Sequence, residues 1–276
     1  MASTGLTGAT TVTQRLVEAA ARRGSRPALI SGSPTGGRCS FAELATTIRH
    51  AAAGLAWRGL RPRDIVAVHV PDAVSYVLAC HSVSAVGGIP CPVRAGLTVT
   101  DMAGQLADCG ARMLLTAEPL AATGLAAADR SWVRQVISFG DAPAATPFSS
   151  LLGMGPLTPP PARPQDVVLL SYWRRPGDLA LTAAAITNAD RAAELDELAA
   201  AQPISDTDLV LAPEPAGDGR CYTTLLDHVL LHGATVVAAP AAELPAAIAR
   251  HGATAAIVPP GITVPDAGIR LLAVTS

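Results

Sequence analysis

The chain has 276 residues, a net charge of -2, half of its residues hydrophobic and only 3% aromatic. This balance gives no general attraction to nucleic acid or to an anionic membrane, and it supplies too few rings for base stacking. No run of about 18 apolar residues exists, and Met1–Thr13 lacks a charged region followed by an apolar core, so a cytoplasmic, soluble protein is expected.

The five cysteines, Cys39, Cys80, Cys91, Cys109 and Cys221, are odd in number and form no C-x-x-C pair. Neither a disulfide framework nor a zinc knuckle is indicated. There is no lysine, so all 20 basic residues are arginine. That excludes mechanisms needing a side-chain amine, such as a phosphate-loop lysine or a Schiff base. Arginine binds phosphate as a planar fork and does not replace lysine one for one.

Along the chain, residues 1–10 are small and polar and read as disordered. Val12, Leu16, Val17 and Ala20 then recur at helical spacing, and Gly24 closes that helix. Ala28–Ile30 and Arg38–Phe41 read as a hairpin across Ser31–Gly37. The Gly-rich turn has no lysine and precedes a strand, so it is a turn before it is a phosphate cradle. Ser40 and Glu43 form a capping box for a helix with Phe41, Leu44, Ile48 and Leu55 on one face. Strand Ile65–Val70, helix Val74–Val86, strand Ile89–Val93, a helix opened by Thr98 and Asp101, and strand Met113–Thr116 follow. Alternating strands and helices imply parallel pairing with right-handed crossovers. Glu118–Arg130 makes a poor helix, Val133–Phe139 a strand, and the Pro- and Gly-dense Asp141–Gln165 a connection.

Asp166–Asp190 is the most informative stretch. Val167–Leu170 reads as a buried strand, Tyr172–Asp178 as a polar turn, Leu179–Ile186 as a second apolar run, and Asn188 as a helix cap. Helix Ala189–Ala201, strand Asp208–Ala212, helix Cys221–His232, strand Thr235–Ala238, helix Ala242–His251, and strands Thr254–Val258 and Ile269–Val274 complete the chain.

Other constellations are weaker. His228 and His232 stand at i and i+4 beside Asp227, a spacing that can clamp zinc. Their apolar neighbours and the lack of a third ligand favour a pair of partly buried or surface histidines, and no metal is expected. His81 on an apolar helix reads as a hydrogen-bonded core histidine. No G-x-S-x-G elbow supports a serine hydrolase. Cys80, Cys91 and Cys109 read as small packing residues.

Cys39–Leu44, Gly59–Val68, Val86–Val93, Leu106–Thr116, Asp141–Phe148, Gly233–Val237 and Val258–Pro260 together resemble the adenylate-forming superfamily. The likeness is to acyl- and aryl-CoA ligases of the coumarate–CoA ligase type. It runs from about Val12 to the last residue but covers about the first half of a complete ligase. The fold class it implies is α/β, with two layered, parallel-rich sheets and flanking helices, like the N-terminal domain of those enzymes but incomplete. Strands from Ile65 to about Ile186 are expected in one sheet. Strands from Asp208 onward, joined by the N-terminal segment, are expected in a second. On this reading residues 11–58 join the second sheet, 62–190 form a first subdomain and 205–276 an incomplete second.

The departures from the family pattern bear on function. The resemblance places the ATP phosphate loop at Tyr172, Trp173, Arg174, Arg175, Gly177 and Thr182. The family loop is rich in Gly, Ser and Thr and ends in Pro-Lys-Gly. Here the turn has one Gly and no Ser or Thr, with Leu181 or Thr182 at the lysine position. The family's histidine loop falls at Ala212–Gly219, which has no histidine. Family segments that hold adenine and ribose, and the lid with its lysine, would lie beyond Ser276.

The expectation is a non-catalytic, truncated homologue with no cofactor, acting through a partner or a retained small-molecule pocket. Its alternative is half of a split or diverged AMP-forming ligase, which would use ATP, Mg and CoA. Leu209, Val210, Val236, Val237, Ile257, Val258, Leu271 and Leu272 are expected to leave an uncovered face after Asp208. That face would serve self-association or a protein partner, with no nucleic acid and no membrane involved.

Overall fold

The computed structural model of the chain describes residues 10–31, 37–173, 181–215, 219–258 and 268–273. All but the last residue of the 1–10 segment expected to be disordered, most of the Gly-rich turn at 32–36, and Arg174, Arg175 and Gly177 lie outside the described residues, as does the proline segment 259–267.

Helix α1 (Val12–Arg23) starts at Thr11, whose hydroxyl accepts from the Gln14 backbone N–H while the Gln14 side chain returns to the Thr11 backbone. This reciprocal cap satisfies two orphan donors. Strands β1 (Pro27–Ser31) and β2 (Arg38–Ser40) form the expected antiparallel hairpin. The Ser40–Glu43 box then opens α2 (Phe41–Trp57). Along α2, Phe41, Leu44, Ile48 and Leu55 are fully buried.

Strand β3 (Ile65–His69), helix α3 (Ala73–Ala85), strand β4 (Ile89–Pro92), helix α4 (Val99–Cys109) and strand β5 (Met113–Ala117) alternate as expected. Glu118–Arg130 splits into a 3-10 turn and a short helix α5 (Ala121–Ala128), because Pro119 starts a turn and the following Ala run has few anchoring side chains. Strands β6 (Gln135–Phe139) and β7 (Thr146–Pro147) complete a five-stranded, wholly parallel sheet in the order β4-β3-β5-β6-β7.

The single-sheet expectation from Ile65 to Ile186 is corrected at this point. Strands β8 (Val167–Trp173) and β9 (Thr182–Thr187) pair antiparallel and form a two-stranded sheet of their own. Two strands joined by a short connection satisfy each other's backbone, whereas joining a parallel sheet requires a crossover. Strand β8 packs beside β4 without entering its sheet.

Helix α6 (Asn188–Ala201) is capped by Thr187 with Asp190, one residue before the expected Asn188. Strand β10 (Leu209–Ala212), helix α7 (Gly219–His232), strand β11 (Thr235–Ala238), helix α8 (Leu244–His251), and strands β12 (Ala255–Ile257) and β13 (Arg270–Leu272) follow. The second sheet has the order β13-β12-β10-β11-β1-β2, parallel except for the β1–β2 hairpin. The N-terminal segment therefore does join the strands that follow Asp208.

One continuous core lies between the two sheets, filled by α2, α3 and α7 side chains such as Ile48, Tyr76 and Leu226. Outer cores lie under α4 and α5 and under α8. The bare face expected after Asp208 is largely covered. Val210, Val236, Val237, Ile257 and Leu272 are buried, Leu209 and Val258 are half-buried, and Leu271 remains exposed. Val237 meets Leu244 and Ala247, so α8 supplies cover that strand patterning alone did not reveal.

Candidate functional site

In the first sheet β3 is flanked by β4 on one side and β5 on the other. The chain reverses its direction of winding there, and ligands of open α/β sheets lie beyond the C-terminal strand ends at such a reversal. His69 ends β3, pairs in register with Thr116 of β5, and Thr116 pairs with Ser138 of β6. All three are buried. Neither His69 ring nitrogen nor the Thr116 hydroxyl has a hydrogen bond of normal geometry among the described residues. Burial holds the His69 imidazole down to about pKa 4, with the Ala95 backbone pulling weakly the other way. A neutral ring follows.

The phosphate-loop position lies at the far end of the β8–β9 hairpin. Trp173 pairs with Thr182, and Tyr172 with Ala183. This register fixes the intervening residues as 174–181, whose sequence contains one Gly, two Arg and no Ser, Thr or Lys. Tyr172 and Trp173 thus belong to β8 and Thr182 to β9, so three of the expected loop residues are strand residues. The Tyr172 hydroxyl donates to Asp108 at 2.5 Å, pinning the hairpin to α4. Burial, then this carboxylate, raises the Tyr172 phenol well above its ordinary range.

The histidine-loop position, Ala212–Gly219, has no histidine in its sequence. Its described part is held by Tyr222, whose hydroxyl donates to the Pro213 carbonyl at 2.6 Å. Glu214 accepts from the Ala241 backbone at 3.0 Å. Gly219 opens α7 directly against Pro92, where a Cβ would lie 2.6 Å from the proline Cβ. Only glycine fits that approach.

Sequence reasoning missed a buried ionic cluster between the layers. Arg191 of α6 donates to Asp227 Oδ2 at 2.5 Å and to Glu194 at 3.3 Å, and also meets the Thr224 hydroxyl. His81 Nε2 lies 3.0 Å from Asp227 Oδ1, and its Nδ1 lies 2.9 Å from the Thr13 hydroxyl. The Asp227 Oδ1 contact is close but lacks ideal hydrogen-bond angles. Burial alone would raise the Asp227 carboxyl; His81 and then Arg191 outweigh it and hold it below the usual range. The expected core histidine at position 81 is therefore correct, and its partners come from two other helices, α1 and α7. A signal was present in α6: Asn188, Arg191, Leu195 and Leu198 form one helical stripe, and all are buried.

This cluster forms the floor of a cavity of about 540 Å³, walled by Pro62, Pro90, Pro160 and Val168. The cavity lies at the N-terminal ends of β3, β4 and β8, opposite the loops of the family site. His228 and His232 do not converge on a third ligand. Among the described residues no group of three or more His, Cys, Asp or Glu is arranged to hold a metal ion. His228 Nε2 meets the Gln202 carbonyl at 2.8 Å, and His232 Nδ1 meets the His228 carbonyl at 2.8 Å. No helix among the described residues is long and apolar enough to cross a membrane.

Two layered α/β sheets with a separate hairpin before α6 define the N-terminal domain of adenylate-forming enzymes. Residues 16–172 match the model of the AMP-binding enzyme family, and the chain belongs to that family. It is 30% identical over 133 residues to an acetyl-coenzyme A synthetase of Nitrosomonas europaea, a match covering 43% of this chain and 20% of that protein. The fold is similar to the long-chain-fatty-acid-CoA ligase FadD1 of Archaeoglobus fulgidus, with a TM-score of 0.79, 20% identity and coverage of 91% of this chain and 52% of the ligase. It is also similar to the N-terminal domain of FACL13 from Mycobacterium tuberculosis, with a TM-score of 0.77, 16% identity and coverage of 90% and 62%. The chain thus spans about half the length of the FadD1 structure and a fifth of the acetyl-coenzyme A synthetase.

Proposed function

We propose that this chain is a non-catalytic homologue of AMP-forming CoA ligases, acting in the cytoplasm through a protein partner or a retained small-molecule pocket. The observation that carries this reading is the β8–β9 connection. Bounded by the Trp173–Thr182 pair, it offers Arg-Arg-Pro-Gly-Asp-Leu-Ala-Leu where the family exposes small residues and a lysine. Backbone N–H groups cradle phosphate when side chains are small; bulky side chains and a proline remove both room and a donor. No lysine elsewhere in the chain substitutes for the missing charge.

Loss of one donor to a developing charge costs roughly a hundredfold to a thousandfold in rate, and several are absent together. Calorimetry with ATP and Mg is expected to register no sub-millimolar binding. Carboxylate-dependent pyrophosphate exchange should stay at the no-enzyme level. Binding or exchange above that level would favour the alternative, a split or diverged ligase using ATP, Mg and CoA. For the partner, the reading includes self-association through the region after Asp208.

A further inference from the structure

We propose that the N-terminal edge of the five-stranded sheet is a docking surface for an acidic protein segment that carries apolar side chains between its carboxylates. The inference rests on the partner-mediated reading above and names a surface and a partner chemistry for it.

The chain has only three tryptophans, and two of them lie in the open. Trp57 at the end of α2 is 71% exposed, and Trp132 before β6 is 72% exposed. Large rings so exposed are unusual in a chain with so few aromatics, and tryptophan dominates binding energy where proteins meet. The two belong to one edge. The Gln135 side chain donates to the Arg58 carbonyl at 2.9 Å, tying the start of β6 to the residue after Trp57. The Arg58 guanidinium lies 6.0 Å from the Trp57 ring centroid, so the ring already carries a cation on one side.

The same edge concentrates arginine. The Arg112 backbone donates to Ile65, and the Arg134 backbone donates to Arg112, which brings the entries to β3, β5 and β6 side by side. Arg61, Arg112, Arg130 and Arg134 are all exposed there. None of the four is in an ion pair among the described residues. The acidic groups at this edge do little to neutralise them. Asp64 accepts from the Arg61 backbone, Asp108 accepts from the Tyr172 hydroxyl, and none of Asp64, Asp108 and Asp129 is in an ion pair among the described residues.

Charge selects the occupant. Four unpaired guanidiniums favour carboxylates, which they grip as forks, while two exposed indoles need apolar cover. A second copy of this chain would set arginine against arginine in a two-fold contact, which repels. The chain as a whole is slightly acidic, at -2, so attraction is local to this edge and no general affinity for a polyanion follows.

The test uses the full chain and a synthetic amphipathic peptide with Glu on one face and Leu on the other. A peptide with Lys for Glu and a short oligothymidylate serve as comparison probes. Tryptophan fluorescence and calorimetry are expected to give micromolar binding of the acidic peptide, a blue shift, and weakening by salt. Arg112→Glu with Arg134→Glu should weaken binding about tenfold or more, and Trp132→Ala should do likewise. Arg94→Glu, at the opposite strand ends, should leave it unchanged. The proposal is overturned if the acidic peptide does not bind, if the basic peptide or oligothymidylate binds better, or if Arg94→Glu weakens binding as much as the edge variants. ATP titration of the same samples reports separately on the non-catalytic reading.

Discussion

Asp227 is held from two different helices: His81 Nε2 lies 3.0 Å from its Oδ1 and Arg191 Nη2 lies 2.5 Å from its Oδ2. All three side chains are at most 5% exposed. The carboxylate therefore ties α3, α6 and α7 together where the two sheets face each other. A buried pair of this kind matters most when broken, because the surviving charge has no solvent.

Asp227→Ala leaves the Arg191 guanidinium buried without its main counter-charge. The expected loss is about 3–5 kcal/mol, read as a lowered urea midpoint with an unchanged slope. Asp206→Ala is the internal comparison, since the Arg26–Asp206 pair is about half exposed on both sides. Exposed pairs contribute roughly 0–1 kcal/mol. Equal losses in the two variants would show that the buried cluster contributes no more than a surface contact.

Acid sensitivity follows from His69 and His228, both fully buried. Burial lowers each imidazole from 6.5 to about 4. The folded chain thus prefers both rings neutral, while the unfolded chain protonates them near pH 6.5. Between about pH 6.5 and 4 the unfolded state binds more protons, so stability falls as pH drops through that window. Each ring contributes on the order of 3 kcal/mol to the stability lost across that window. His69→Leu removes a ring whose nitrogens make no hydrogen bond of normal geometry and keeps the volume. It should raise the melting temperature and flatten the acid limb; an unchanged pH profile would rule His69 out as a cause.

Gly54 marks the closest approach between α2 and the 3-10 segment Phe148–Gly153. A Cβ there would lie 2.4 Å from the Leu151 carbonyl oxygen and 2.6 Å from the Leu151 Cα. Those are backbone atoms, so relief requires moving the segment that buries Phe148 and Leu151. Gly54→Ala should destabilise by about 1–3 kcal/mol, despite alanine's better helix propensity. Thermal unfolding decides between the two effects by sign.

Local patterns carried most of the element boundaries. The Ser40–Glu43 and Thr98–Asp101 caps are legible in the sequence because capping is a short-range contact. What escaped depends on tertiary placement. The Pro- and Gly-rich stretch after Asp141 hides β7 and a 3-10 segment with two core residues, since neither has a periodicity long enough to detect. The sequence pattern places β8 in the first sheet because parallel pairing is the default after alternating elements. The short register-locked return to β9 overrides that default. At the candidate site, the altered phosphate loop was visible as composition alone. The His81–Asp227–Arg191 cluster is not visible there, because in sequence Asp227 stands beside His228 and His232 while its partners lie on other helices.

Leu271 is the remaining exposed member of the apolar set after Asp208. It is 52% exposed, stands in β13, and pairs in register with buried Ala256 of β12. Strand β13 is the terminal strand of the second sheet among the described residues. Arg270 anchors it by donating to the Pro203 carbonyl at 2.6 Å and to Asp208, whose carboxyl is held well below its ordinary value, despite burial, by Arg270, Ser205 and Thr254. The strand is thus fixed in place while one of its two leucines, Leu271, faces outward. An edge strand so presented is a template for another chain. Self-association through it should bury more than about 1,000 Å² in total. Sedimentation at micromolar concentration should reveal a dimer or larger species that Leu271→Glu shifts to monomer without lowering the melting temperature. A wild-type monomer that stays monodisperse across that range would exclude self-association through this edge.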